Sequence, residues 1–293
     1  MAEPVKPGVV NENDYFSPVE ITWCSGCGNF GILKAVKQAL VELQLVPEKV
    51  LFISGIGQAG KFPHFLKCNL LNELHGRTLP AATAAKLVNP ELTVIAEGGD
   101  GDGYGEGGNH YLHAMVRNVD FTYLVHNNQV YGLTKGQASP TSQPGFVTRT
   151  TPGGAREPLN PLAVAIAANA SFVARGFAGD VPHLSKIISA AIQHKGFALV
   201  DILQPCVSFN KVNTYQFFQK RIYHLEDETG YDPYNRIKAF EKALEWGDKI
   251  PAGILYRAER PQFEESLWAA DRIPLVNRKI DPQIAAHLID EFR

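Results

Sequence analysis

No run of eighteen apolar residues occurs in the 293 positions, so the sequence offers no membrane-spanning helix. Its start, Met1-Ala2-Glu3-Pro4-Val5-Lys6-Pro7, has neither the charged nor the apolar region of a secretory signal. A cytoplasmic protein with reduced thiols is the expectation. An excess of basic charge is also missing. With 28 Lys and Arg against 30 Asp and Glu, a net charge of -2 and the basic residues scattered, the sequence argues against a binder of nucleic acid or anionic lipid. Cysteine is scarce: Cys24, Cys27, Cys68 and Cys206 are too few to staple a chain of this length, and such a set in a reducing compartment more often binds metal or does redox chemistry. There is no internal repeat and no low-complexity tract.

Apolar residues make up 45% of the chain, enough for a large core, and they fall into two alternating periodicities. Short apolar runs read as buried strands at Val50 to Ser54, Leu92 to Ala96, Phe121 to His126, Phe172 to Ala174 and Phe197 to Leu203. Helical spacing marks the stretch from the Gly28 turn to Pro47 (Ile32, Leu33, Val36, Leu40, Leu43), then Leu79 to Val88, Glu106 to Asn118, Pro161 to Asn169 and Val181 to His194. This alternation predicts an α/β fold whose mostly parallel sheet is covered by helices on both faces. Residues 1 to 20, with Pro4, Pro7 and Pro18, read as an extended arm, and Phe65 to Leu74 makes no convincing strand. Tyr131 to Asn160 is too long for an ordinary connection and reads as a functional loop. After Cys206 the pattern weakens, leaving helices at Tyr215 to Tyr223 and Asn235 to Trp246. The expected division is therefore an α/β domain with its arm over 1-206 and an irregular C-terminal extension over 207-293, packed on that domain or on a partner.

Ligands of an open parallel sheet bind beyond the carboxyl ends of its strands. Gly99-Asp100-Gly101 closes one strand, and 28 residues after Asp100 the second residue of Asn127-Asn128 closes the next. Each motif alone is common turn chemistry. Paired, with a helix between them, they set two hard oxygen donors at neighbouring strand ends, which suits Mg2+ held with a diphosphate. Three glycine spacings (Gly26/Gly28/Gly31, Gly55/Gly57/Gly60, Gly103/Gly105/Gly108) match the dinucleotide fingerprint, a weak signal among 26 glycines, and the best placed lacks a second strand to present Glu73. Cys24-x-x-Cys27 is a redox dithiol, half a zinc site or half an iron–sulfur site. His110 and His113, spaced i and i+3, read as structural.

Five motifs now fall into one order: Trp23-Cys24-Ser25-Gly26-Cys27-Gly28, Ile53-Ser54-Gly55-Ile56-Gly57, Leu74-His75-Gly76-Arg77, the Gly-Asp-Gly-Asp segment ending at Asp102, and Asn128 to Gln137. Over about residues 18 to 220 the chain resembles the β subunit of 2-oxoacid:ferredoxin oxidoreductases. The resemblance implies a thiamine-diphosphate-binding fold, with Mg2+ on Asp100, Asn128 and the carbonyl of Val130. Gly99 and Gly101 would let the backbone approach the diphosphate, with Gly57, Asp102, Tyr131, Gly132, Leu133 and Thr134 as further cofactor-binding residues. It also implies a 4Fe-4S cluster on four thiolates. Cys24, Cys27 and Cys206 match. The family commonly has its third cysteine after Gly-Ile-Gly, where Gln58 stands here, and Cys68 is the expected replacement; the alternative makes Cys68 a small core residue in a helix from Phe65 to Leu71.

His75 and Arg77 are expected to meet diphosphate, substrate or a partner subunit, and Lys135 a substrate carboxylate or coenzyme A. The implied activity is coenzyme A-dependent oxidative decarboxylation of a 2-oxoacid, 2-oxoglutarate to succinyl-CoA ahead of pyruvate to acetyl-CoA. Electrons would pass through the cluster to ferredoxin, and reductive carboxylation is the reverse. One such domain is half an active site, so an α subunit with the pyrimidine-binding domain is implied, in a dimer of αβ heterodimers. Two other readings stay open: a non-redox thiamine-diphosphate decarboxylase and a zinc-stabilised binding module.

Overall fold

The computed structural model describes residues 9–155, 157–267, 271–279 and 282–292. Its eight-stranded sheet has the order β2-β1-β3-β4-β8-β7-β10-β9. The strands are β1 (Val50–Ser54), β2 (Asn69–Asn72), β3 (Thr93–Gly99), β4 (Thr122–Asn127), β7 (Phe172–Phe177), β8 (Ala198–Leu203), β9 (Ile222–His224) and β10 (Ile250–Arg257), and β5 (Val130–Tyr131) pairs with β6 (Gln137–Ala138) outside that sheet. From β2 to β7 every pairing is parallel; β10 runs antiparallel to β7, and β9 parallel to β10.

Alternate residues of the strands feed two cores. On one face Phe52, Leu124, Val200 and Ile202 pack under α1 (Asn29–Glu42) and α5 (Val181–Gln193). On the other, Ile53, Tyr123, Val125 and Leu199 meet α2 (Thr78–Val88), α3 (Gly108–Arg117), α4 (Pro161–Ala167) and α7 (Arg236–Leu244). Burial on both faces is why β4, β7 and β8 have no exposed position, which makes them near-continuous apolar runs in sequence. Asn160, Asp180 and Asn235 cap α4, α5 and α7 by accepting from backbone N–H groups one turn in.

Two regions depart from expectation. Phe65 to Leu74 contains the edge strand β2, which the sequence hides because all four of its residues are exposed. The stretch after Gly60 is a 3-10 helix, Ala59–Phe65, rather than the α-helix that a dinucleotide site needs for its pyrophosphate. Beyond Cys206 the chain is more regular than its periodicity suggests. The short helix α6 (Tyr215–Gln219) precedes β9, and β10 hydrogen-bonds to β7, so residues 222–257 extend the sheet of the α/β domain. Pro251, Gly253 and a register shift between Ile254 and Tyr256 break the pattern of β10. A last helix, α8 (Pro282–Asp290), lies near the terminus.

The arm is laid down where it is described. Tyr15 is buried and donates its hydroxyl to the Leu45 carbonyl at 2.7 Å, Val10 N donates to Gln44 Oε1, and Phe16 bridges Leu66. Its first eight residues lie outside the described ones. Among the described residues no helix is long and apolar enough to cross a membrane.

Candidate active site

Four segments meet at the carboxyl ends of the parallel strands: Gly55–Gly60 after β1, Asp100–Glu106 after β3, Asn128 after β4, and Gln204–Phe209 after β8. Asp100 opens a π-helix, Gly101–Glu106, a wide winding found mostly at functional sites. Glycine is obligatory within it at Gly101, where a Cβ would stand 2.3 Å from the Tyr131 ring. Gly55 is held as closely, since a Cβ there would meet Asp102 Oδ2 at 2.0 Å.

A cavity of about 110 Å³ opens between these segments. Gly57, Gly99, Asp100, Gly101, Asp102, Asn128, Val130, Tyr131, Gly132, Leu133 and Thr134 all line it, with His75. The Asp100 carboxyl is buried, and burial pushes its pKa up to about 6, against hydrogen bonds from Ser139 Oγ (2.5 Å) and Thr141 Oγ1 (2.6 Å) to Oδ2. Its partners are hydroxyls. A carboxylate held like this is what a cation would stabilise. Asn128 Oδ1 accepts from Val130 N at 3.0 Å, and Gln129 between them has φ 59°, a tight left-handed turn that sets the Asn128 side chain and the Val130 backbone side by side. The donors, the glycine cradle and the buried acid fit a diphosphate with its Mg2+.

Asp102 acts through its neighbours. Its Oδ1 accepts from Ile56 N (2.9 Å), Gly76 N (2.9 Å) and His75 Nδ1 (2.6 Å), so one buried carboxylate ties the loops after β1 and before α2 to the π-helix. His75 therefore reaches the cavity held by Asp102. Arg77 does not line the cavity; it is exposed and donates to His110 Nε2. Lys135 also stands outside, in the next cleft with Arg149, Thr148 and Thr150.

Behind the cavity lies a buried acid–imidazole pair that sequence patterning missed. Glu97 and His126, on adjacent strands, approach to 3.2 Å with no exposure. The Asn29 amide oxygen lies 2.9 Å from His126 Nδ1, while His126 Nε2 and both Glu97 carboxyl oxygens are buried with no hydrogen-bond partner. Burial holds Glu97 well above the carboxylate range and drops His126 to about 3, so the pair is neutral.

A second cavity adjoins the first. Cys24, Cys27 and Cys206 line it, and Gln58, Asn128 and Gly132 line both cavities. Gly28 N donates to the Pro205 carbonyl at 3.2 Å, which docks the Cys24-x-x-Cys27 turn on the segment after β8. Each sulfur accepts a hydrogen bond: Cys27 from Gln204 Nε2 (3.2 Å), Cys24 from Ser208 Oγ (3.1 Å) and Cys206 from Phe209 N (3.4 Å). N–H and O–H groups aimed at sulfur are the outer contacts that iron–sulfur sites use.

Cys68 is not brought here. It precedes β2, pairs by register with the amino end of β1, and packs half-buried beside Phe52 and Tyr15, where burial pushes its thiol up to about 12. Nor does it lie in a helix: the 3-10 turn ends at Phe65 and β2 starts at Asn69. Three thiols fit a cluster; the expected fourth does not. Among the described residues the one group whose ligand atoms converge within 4.8 Å, as for a single ion, is Asp180, His183 and His224, and none of these lines either cavity.

Comparison with known proteins decides the family. The profile described as "Thiamine pyrophosphate enzyme, C-terminal TPP binding domain" matches residues 55–202, and a profile for the C-terminal part of the pyruvate ferredoxin oxidoreductase β subunit matches 206–272. The 2-oxoacid:ferredoxin oxidoreductase subunit beta of Saccharolobus solfataricus is 49% identical over 249 residues, 81% of this chain and 82% of that one. The chain belongs to the 2-oxoacid:ferredoxin oxidoreductase β subunits. Within this family, the 2-oxoglutarate synthase subunit KorB of Methanocaldococcus jannaschii is 35% identical over 254 residues, 84% of this chain and 90% of that one. The structure of the 2-oxoglutarate:ferredoxin oxidoreductase from Magnetococcus marinus with 2-oxoglutarate, coenzyme A and succinyl-CoA bound superposes with a TM-score of 0.88 at 38% identity, covering 95% of this chain and 96% of that chain. As a β subunit the chain is part of a thiamine-diphosphate-dependent oxidoreductase with an α partner.

The 131–160 loop, expected to be functional, supplies Ser139 and Thr141 to Asp100. Gln204, Ser208 and the Phe209 amide carry no motif. Only the position of Cys206 marks that they approach sulfur.

Proposed function

We propose that this β subunit provides the diphosphate half of a coenzyme A-dependent oxidoreductase whose 2-oxoacid is 2-oxoglutarate, with electrons leaving through an iron–sulfur cluster to ferredoxin. The observation that carries this reading is the shared wall: Gln58, Asn128 and Gly132 separate a buried-acid diphosphate cavity from three thiols. The KorB relatives and the 2-oxoglutarate-bound neighbour favour 2-oxoglutarate over pyruvate.

In this reading Asp100, Asn128 and the Val130 carbonyl hold Mg2+, and Gly99 and Gly101 admit the diphosphate oxygens. Thiamine diphosphate, when bound, supplies the carbanion and the electron sink for decarboxylation, and the cluster supplies one-electron carriage. Asp102 holds the Ile56 and Gly76 amides and orients His75 toward the reacting end. Lys135, beside Arg149, meets an anionic group of coenzyme A or the substrate, and Arg77 faces the α subunit. The α subunit brings the pyrimidine-binding half, in a dimer of αβ heterodimers working in the cytoplasm, where the thiols stay reduced.

The test is anaerobic purification of the chain with its co-expressed α subunit, followed by an absorption spectrum and ferredoxin reduction with 2-oxoglutarate or pyruvate. A brown complex that reduces ferredoxin faster with 2-oxoglutarate supports the proposal. A colourless complex that decarboxylates without reducing ferredoxin would replace it with the non-redox decarboxylase. Preference for pyruvate would overturn the substrate alone.

A further inference from the structure

The cysteine pocket departs from four-thiolate ligation in a way that has chemical consequences. Its three thiols are fixed by separate segments, the turn before α1 and the segment after β8, and each sulfur already accepts one hydrogen bond. All three line one cavity, and their ligand atoms are not among those that converge as a single ion would require. On the remaining side stands Gln58. Trp23 Nε1 donates to the Gln58 carbonyl at 2.8 Å, so the residue just before Cys24 pins Gln58 against the thiols. Trp23 is itself wedged among Phe30, Phe62 and Phe65, which leaves this contact little freedom. Among the described residues the Gln58 carboxamide has no protein hydrogen-bond partner, and its side chain runs along Gly132.

Cys68 has no route to that side. β2 is parallel to β1, so the chain must return to the amino end of β1 before β2 begins. By register Cys68 lies four residues below Ser54, roughly 13 Å at about 3.3 Å per residue, and the thiols lie beyond the opposite end of the strand.

We propose that this pocket holds its cluster through three thiolates, Cys24, Cys27 and Cys206, and turns the fourth corner toward Gln58, so that the iron at that corner carries an exchangeable water or hydroxide instead of a thiolate. This rests on the proposed iron–sulfur reading of the pocket. An iron without a protein thiolate is the one an oxidant removes. A one-electron oxidant of the ferricyanide class takes one electron from the [4Fe-4S]2+ cluster, and Fe2+ departs to leave [3Fe-4S]+. Added Fe2+ with a one-electron reductant reverses both changes.

The experiment uses the anaerobically purified αβ complex of the wild type and of the Gln58→Cys and Cys68→Ser variants, with iron and sulfide analysis and EPR before and after ferricyanide. Wild type and Cys68→Ser are expected to lose about one iron in four and gain the EPR signal of a three-iron cluster. Gln58→Cys, with a fourth thiolate in place, should keep its iron and stay EPR-silent under the same treatment. Loss of cluster in Cys68→Ser, or a wild type as resistant as Gln58→Cys, overturns the three-thiolate site while leaving the cluster reading intact. Absence of iron and sulfide from both the wild type and Gln58→Cys, with thiamine diphosphate still bound, overturns the cluster reading itself.

Discussion

Asp102 offers the sharpest test of how the cofactor loops are held. Its side chain accepts two backbone N–H bonds, from the partly exposed Ile56 and the buried Gly76, while Oδ2 is buried without a partner. A hydrogen bond to a charged group contributes about 1.5–3 kcal/mol, and an orphaned buried N–H costs about 1–3 kcal/mol, whereas a partly exposed one recovers water. Asp102→Ala should therefore destabilise the folded chain by roughly 2–5 kcal/mol. Asp102→Asn keeps an oxygen for the two amides but buries an NH2 group where Oδ2 had no donor or acceptor, so it should cost about 1–3 kcal/mol. Urea denaturation gives the totals, and amide hydrogen exchange localises them. In the alanine variant Gly76 N–H should exchange at least tenfold faster while core amides of β4 and β8 change only with global stability, since each 1.4 kcal/mol is a factor of ten. If Asp102→Ala keeps both wild-type stability and a protected Gly76 amide, the carboxylate is not what joins these loops.

Asp100→Ala should abolish Mg2+-dependent thiamine-diphosphate binding in calorimetry while leaving the circular dichroism spectrum unchanged; retained affinity would refute the metal assignment. Gly101→Ala drives a Cβ to within 2.3 Å of the Tyr131 ring and should weaken cofactor affinity at least tenfold, as the ring swings into the cavity it lines. Ile188, fully buried beneath α1, should cost about 2–5 kcal/mol when cut to alanine, without changing cofactor affinity. His194 is buried, with Nε2 2.8 Å from Ser171 Oγ, and burial drops its pKa to about 4. Because the unfolded value is about 6.5, the unfolded chain takes up the proton first. The stability of the neutral ring is complete above pH about 6.5 and is lost as pH falls toward 4, at most about 3 kcal/mol. Denaturation midpoints at pH 7.5 and 5 should differ less in His194→Gln than in wild type.

The parallel core was legible because strands buried on both faces are mostly apolar: β1, β3, β4 and β8 appear as short runs dominated by apolar residues, with few polar interruptions. The edge escaped. β2 is Asn-Leu-Leu-Asn with every side chain exposed, so no periodic burial marks it. Cys68 was misplaced for the same reason. Without β2, nothing in the sequence shows that the chain must travel back along the sheet before residue 69, and a cysteine ten positions after Gln58 looks near it. That Asp100, Asn128 and the flanking glycines gather at one cavity was legible because residue type marks them, glycine beside aspartate and an asparagine pair. Their supports were not: Ser139 and Thr141 reach Asp100 from about 40 residues away, and Glu97 with His126 sits inside strands where polar residues are rare.

The wall formed by Gln58, Asn128 and Gly132 has a thermodynamic meaning beyond separating two cavities. Any displacement of it on filling one side alters the shape offered on the other, and such a coupling is reciprocal: if loading the diphosphate side raises affinity for the group among the thiols by some factor, loading the thiols raises diphosphate affinity by the same factor. A positive coupling of this kind makes the doubly loaded chain more stable than the two affinities measured on the empty chain add up to.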